Sequence, residues 1–280
     1  MRKILLLIIL SIHFTINGSE VGGILKTLTY NEHFYLNKFF HACVCSDHFG
    51  FTIFFDKPVA LSSYFIRCRS DELASPYRNK QIALGWKVWK KHEHLFPHEN
   101  FIFCEEQENV YDENLNFTFK TCHIYLINKA ALLSLLRAHK ITFSRYLGEE
   151  FSPEGFLAKV ENTKTLMPHL NNSEALLGIV LGYGLEAALQ FERMRDCSIP
   201  CGETHYQSIC SYQPKECSIT PVVFAGNPGS AEAQSIQNHY SEQIEKIWQI
   251  YKDKDFLQIV LNTLCSKNYL FGLNTSCFEQ

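Results

Sequence analysis

The spacing of apolar residues changes near residue 127, and that change sets the architecture. Before it, helical spacing is mixed with short alternating or clustered runs; after it, the pattern turns helical. In the first half, Leu25, Leu28, Leu36, Phe39, Phe40 and Cys43 predict a helix over about 24–45. The run Gly50-Phe51-Thr52-Ile53-Phe54-Phe55 is β-prone and stops at Asp56, Lys57 and Pro58, which predicts a strand. A second β-prone run covers Ser63 to Arg67. Residues 79–95 set Ile82, Leu84, Trp86, Val88 and Trp89 among Lys and His, an amphipathic helix that ends near Pro97. Phe101 to Cys104 reads as a strand, Asp112-Glu113-Asn114 as a turn, and Phe117 to Leu126 as the strand that pairs back.

After residue 127 the chain reads as helices. Ala130 to His139 is Leu-rich, and Ser152-Pro153-Glu154 supplies a cap, a first-turn proline and an acid suited to the helix dipole. Asn172 or Ser173 caps a helix running to about Arg195. Residues 197–229, rich in Cys, Pro, Gly and Ser, read as loop; Ser230 then caps a long helix to about Tyr251, and Phe256 to Cys265 forms the last one. The expected fold is α+β: a small antiparallel sheet with helices in the N-terminal half and a helical C-terminal half. One domain over 19–280 accommodates this, with 127 as the place where it would subdivide.

The first residues predict a destination. Arg2 and Lys3 precede an Ile- and Leu-rich run from Ile4 to Ile16, and small or turn-forming residues Asn17, Gly18 and Ser19 follow, the layout of a secretory signal over 1–18. The run is shorter than the roughly 20 residues a spanning helix needs, and no other segment spans. Removing Arg2 and Lys3 takes the formal charge from −3 to −3 − 2 = −5. Such a surface has no general attraction for nucleic acid. The local basic group is Lys87, Lys90 and Lys91.

All eleven cysteines lie beyond the signal, and export favours pairing them as disulfides. An odd number leaves at least one thiol out. Cys197, Cys201, Cys210 and Cys217 form the densest cluster and are the disulfide candidates; zinc is the alternative, although their spacing matches no familiar zinc module. Cys43 and Cys45, two apart, are each expected to reach a distant partner.

No catalytic residue follows from the sequence, and no cofactor or metal is assigned. Gly182-Tyr183-Gly184-Leu185-Glu186-Ala187 resembles a dinucleotide fingerprint, but it lacks the surrounding βαβ rhythm and the downstream acid. Gly178 and Gly182 instead predict a buried helix whose glycines admit a neighbouring helix or an aromatic ring. His92, His94 and His98 crowd seven residues, yet they lack metalloprotease spacing, and His92 and His94, two apart, point to different helix faces. No G-x-S-x-G string occurs: in Gly226-Asn227-Pro228-Gly229-Ser230 the serine follows the glycines. Asn17, Asn116, Asn171 and Asn274 begin glycosylation-type triplets, which matter only in a eukaryotic secretory route.

Gly50 to Val59, Gly85 to Lys91, His94 to Pro97, Ala175 to Gly184 and Lys254 to Leu257 together resemble an uncharacterised family of exported proteins from Chlamydia-related intracellular bacteria. The resemblance implies a bacterial protein of the periplasm, the envelope or beyond, and brings no site residues with it. The leading expectation is an exported envelope or secreted protein that acts through a binding surface on a protein or envelope component. The alternatives are an exported hydrolase drawing on His92, His94, His98 or the 197–217 cysteines, and a host-directed effector.

Overall fold

The computed structural model describes residues 20–67, 77–112, 117–196, 207–210 and 219–266. After a helical turn at 20–25 come α1 (Tyr30–Ser46), α2 (Phe49–Phe54), β1 (Val59–Arg67), α3 (Tyr77–His92), β2 (Phe101–Asp112) and β3 (Phe117–Asn128). There follow α4 (Lys129–Ala138), α5 (Lys140–Leu147), α6 (Pro153–Thr163), α7 (Glu174–Val180), α8 (Leu185–Asp196), β4 (Gln207–Cys210), β5 (Val223–Gly226), α9 (Ala231–Tyr251) and α10 (Phe256–Leu264). The fold is α+β. Among the described residues no helix is long and apolar enough to cross a membrane.

The central sheet has the order β1-β3-β2, antiparallel throughout, with Val59 opposite Ile127 and Ile102 opposite the same residue. Both of its faces are covered, which explains the unbroken apolar strings Phe101-Ile102-Phe103-Cys104 and Ile124-Tyr125-Leu126-Ile127. Phe101, Phe103, Ile124 and Leu126 enter one core with α1, α2, α3, α9 and α10. Ile102, Cys104, Tyr125 and Ile127 enter a second core with α4 to α8. Near residue 127 the chain leaves β3 and crosses to build that second layer.

The helix ends follow local chemistry. Thr29 and Glu32 form a reciprocal capping box at α1. Ser152, Ser173, Ser230 and Asp255 each accept a backbone N–H at the start of α6, α7, α9 and α10. α3 crosses α1 at Gly85, where a Cβ would lie 2.2 Å from the Cβ of Phe39 and 2.5 Å from the Tyr35 carbonyl oxygen. Only a glycine lets the two backbones meet there. Along the edge of β1, the buried Asn79 side chain accepts from the Phe65 amide at 2.6 Å and donates to the Phe65 carbonyl at 2.9 Å, standing in for a neighbouring strand.

Several expectations need correction. Residues 50–54 are helical, and only Phe55 is extended: all six residues of α2 are buried, and close packing of Gly50 on Val44 and Ile247 outweighs the β-preference of the run. The helix after Ser173 is not continuous to Arg195; it breaks between Val180 and Leu185, where Gly182 and Gly184 take φ of +75° and +91°. Within 197–229, expected as loop, β4 and β5 pair as a two-stranded ribbon. Cys43, Cys45, Cys104, Cys122 and Cys265 are buried thiols rather than halves of disulfides. They pack as small side chains in the cores, and neither Cys43 nor Cys45 forms the disulfide expected of it. Of the disulfide candidates, Cys197, Cys201 and Cys217 lie outside the described residues, and Cys210 contributes its backbone to the end of β4.

Candidate functional site

The seam between the two cores carries the most unusual chemistry in the molecule. It begins at Asp56-Lys57-Pro58, between α2 and β1. Lys57 is 1% exposed, and the Lys57 ammonium donates to the carbonyl of Leu181, the residue that ends α7. A cation suits the negative end of a helix. Nζ also lies 5.0 Å from the ring centre of Tyr183 and 5.3 Å from that of Tyr240. Burial pulls the Lys57 amine down to about 7. His48, at the start of α2, is pulled down to about 4 by burial and by the Lys57 charge, against the pull of its hydrogen bond to the Pro221 carbonyl.

Asp56 points the other way, to α9. His239 Nε2 lies 2.9 Å from Asp56 Oδ1, and the Gln243 amide donates to the same oxygen at 2.8 Å. Burial pushes the Asp56 carboxyl up, but the His239 hydrogen bond and charge and the Gln243 amide outweigh it, leaving the carboxyl below its ordinary value. His239 and Gln243 stand four apart on α9, one turn, so both reach the same carboxylate.

Above this seam opens a cleft of about 260 Å³ between α4, the 181–184 turn and α9; Leu135, His139, Gly182, Glu232, Ser235 and His239 are among its walls. The two glycines shape it. A Cβ on Gly182 would lie 2.4 Å from the Tyr240 hydroxyl, and one on Gly184 would lie 2.8 Å from the Glu232 carboxylate. Tyr240 donates its hydroxyl to the Gly182 carbonyl at 3.1 Å. Glu232 accepts from the amides of Leu185 at 2.9 Å and Glu186 at 2.8 Å, capping α8 from the first turn of α9. The place where a dinucleotide would set its pyrophosphate is therefore filled by the chain's own carboxylate. His139 sits below its ordinary range because of burial, with Glu232 opposing. Gly178 plays the part expected of it: a Cβ there would lie 3.0 Å from the Cβ of Ala188, so it admits α8.

A second cleft of about 310 Å³ lies on the far side of the same turn, lined by Leu181, Tyr183, Phe191 and Phe224 and largely apolar. Phe191 and Val223 are 44% and 45% exposed at its rim.

The histidines singled out in the sequence do not assemble. His92 pairs with Glu32 at 2.9 Å, His94 is exposed, and His98 bonds the Phe96 carbonyl at 2.7 Å beside Trp89. Among the described residues no group of three or more His, Cys, Asp or Glu side chains is placed to hold a metal ion. Among the described residues Cys45 lies beside a histidine, with Sγ 3.9 Å from His41 Nε2 and 3.5 Å from the Tyr251 hydroxyl. Sequence reasoning took Asp56-Lys57-Pro58 only as the stop of a strand. The signal was there: two charged residues set between Phe54-Phe55 and Val59-Ala60. A charge in such a string is either exposed on a bend or buried with partners; here Lys57 is buried, Asp56 is half-buried, and both have partners.

Comparison of the chain with family models, curated proteins and solved structures finds no match.

Proposed function

We propose that the protein is exported and acts by binding, with the cleft over the 181–184 turn as its recognition site for a small polar ligand. One observation carries the reading: the polar groups of the cleft are held from behind. Tyr240 is fixed on Gly182, His239 on Asp56, and Glu232 on two helix amides. Groups held in place before a ligand arrives lose little freedom when it binds, which is how a small site gains affinity. The volume, about 260 Å³, lies just below the usual range for ligand sites, roughly 300 Å³ and upward, and suits a ligand of amino-acid size. Support for export comes from Arg2, Lys3 and the apolar run Ile4 to Ile16. The test is thermal unfolding of the purified protein with a panel of amino acids, small dicarboxylates and dipeptides. At least one probe should raise the midpoint in the wild type and leave Ser235→Trp, which fills the cleft, unmoved. A panel without effect, or equal shifts in both proteins, would count against the site.

An exported hydrolase is a second reading, favoured by the placement of Ser235 one turn before His239 on the same wall, with Asp56 bracing the imidazole. Turnover of p-nitrophenyl acetate that falls at least tenfold in both Ser235→Ala and His239→Ala would favour it over binding alone.

A further inference from the structure

We propose that Lys57 is a proton-controlled tie that regulates this cleft: charged, its amine holds the 181–184 turn against α9, and neutral, it releases the turn. The inference concerns the regulation of the binding site proposed above and rests on that reading for its functional meaning, but not for its physics.

From within, the turn is held by the amides of Leu181, Gly182 and Tyr183, which donate to the carbonyls of Leu177, Ile179 and Gly178 at 2.9, 2.9 and 3.1 Å, and by the Tyr183 ring stacked on Phe224 at 5.8 Å. Gly182 and Gly184 carry no side chains and sit at positive φ. Three consecutive residues are also gripped from across the seam. Leu181 accepts from the Lys57 ammonium, Gly182 accepts from the Tyr240 hydroxyl, and Tyr183 lays its ring 5.0 Å from Lys57 Nζ. Tyr240 belongs to this set as well, its ring 5.3 Å from the same ammonium. One buried amine thus joins the end of α7 in one core to α9 in the other. Losing its proton turns a charge-assisted hydrogen bond into an ordinary one and abolishes the attraction to both ring faces. The turn is also a wall of the cleft, so a change in its grip changes the site.

The groups facing Lys57 leave it as the one that switches the tie near neutral pH. From α2, His48 carries the same potential charge but is held neutral there, pulled down to about 4. Asp56, next in the chain, is ionised and committed to His239 and Gln243. The phenols of Tyr183 and Tyr240 are pushed up by burial and stay protonated. Glu232 grips the far end of the turn at Leu185 and Glu186. Burial alone brings the Lys57 amine to about 7. His139 and His239 line the cleft and also face the turn, so the experiment must separate them.

Amide resonances of Gly182 and Gly184 in the full chain, followed by NMR from pH 5.5 to 9 without ligand, test the idea. The wild type should show both glycines moving with a common midpoint near 7. The movement should vanish in Lys57→Met, which keeps the bulk without a proton, and also in Lys57→Arg, which keeps the charge throughout. Glycine resonances that stay flat in the wild type would overturn the proposal. So would a titration that persists in Lys57→Met, because it would belong to His139 or His239. If Lys57→Arg fails to fold, Lys57→Met alone decides. No ligand is added, so a failed binding panel with a glycine titration that behaves as expected would sink the site's function and leave the tie standing.

Discussion

The two faces of the sheet are built by different means. On one, α1, α3 and α9 are long, with 17, 16 and 21 residues, and they enclose an aromatic interior. Trp89 is its centre: edge-on to Phe40 at 5.3 Å, stacked on Phe96 at 5.8 Å and tilted on Phe103 at 4.9 Å. On the other face, α4 to α7 have 10, 8, 11 and 7 residues and close around Leu132, Leu135, Leu136, Val160, Leu176 and Ile179. Rings hold preferred edge and offset geometries, so an aromatic core fixes the angles of the helices that carry it. Aliphatic side chains fill space with less directional demand, and short helices joined by tight turns can shift against one another. The cleft and the glycine turn sit where the aromatic layer meets the aliphatic one.

The largest effects test whether the two layers stand or fall together. Trp89→Ala should lower stability by about 3–5 kcal/mol and Leu132→Ala, across the sheet, by about 2–5 kcal/mol, measured by urea unfolding. All three tryptophans, Trp86, Trp89 and Trp248, belong to or pack on the aromatic layer, so their fluorescence reports that layer alone. If the sheet couples the faces, Leu132→Ala should move the fluorescence midpoint as far as the circular-dichroism midpoint. A fluorescence curve that stays put would make the layers independent units.

Next comes the join itself. Gly182→Ala forces a Cβ into a positive-φ residue and against the Tyr240 hydroxyl, and should cost about 2–3 kcal/mol. A neutral result in the same unfolding assay would mean that α9 yields easily and that the rigid layer is less rigid than its rings suggest.

Slightly smaller is the pH effect of Lys57. Its amine is near 7 in the folded chain and 10.5 in the reference state. Between those values the unfolded chain holds a proton that the folded chain lacks, so stability rises as pH rises. Below about 7 both states hold it, and the penalty for burying the charge is constant. From pH 7 to 9 the gain is on the order of 2 kcal/mol, and the wild type should show it relative to Lys57→Met. Parallel profiles for the two proteins would exclude it. The smallest effect distinguishes the layers at their edges: removing the cap of α7 with Ser173→Ala should cost about 1 kcal/mol. Because α7 has only seven residues, amide exchange should quicken along its whole length, whereas Ser230→Ala should affect only the first turn of the 21-residue α9.

Much of this was legible in the sequence, for local reasons. The caps at Ser152, Ser173 and Ser230 are side-chain to backbone contacts three residues apart, and such signals survive any tertiary context. The β2–β3 pair followed from alternation and an acidic turn. What stayed hidden depends on contacts far apart in the chain. Residues 50–55 look extended by composition; only burial on all sides makes 50–54 helical. Gly178 and Gly182 read from the sequence as sites of close approach, which they are, but the break at 182–184 depends on Tyr240 and Glu232, about 50 positions on. The site was the least legible of all: Asp56 meets Gln243 across 187 positions and Lys57 meets Leu181 across 124. For the five thiols described, counting cysteines predicted pairing where the fold instead buries each one out of any disulfide.

Those thiols give each face of the sheet its own clock. Cys104 looks into the aliphatic layer and Cys122 into the aromatic one, and both are wholly enclosed. Burial pushes the Cys104 thiol up to about 12 and raises that of Cys122 too, so neither offers a reactive thiolate while the chain is folded. An oxidant or alkylating reagent can reach them only when the layer above them lifts. The rate at which each is consumed therefore counts openings of one side of the molecule, and in oxidising surroundings it ties the chemical lifetime of the chain to how rarely either layer parts from the sheet.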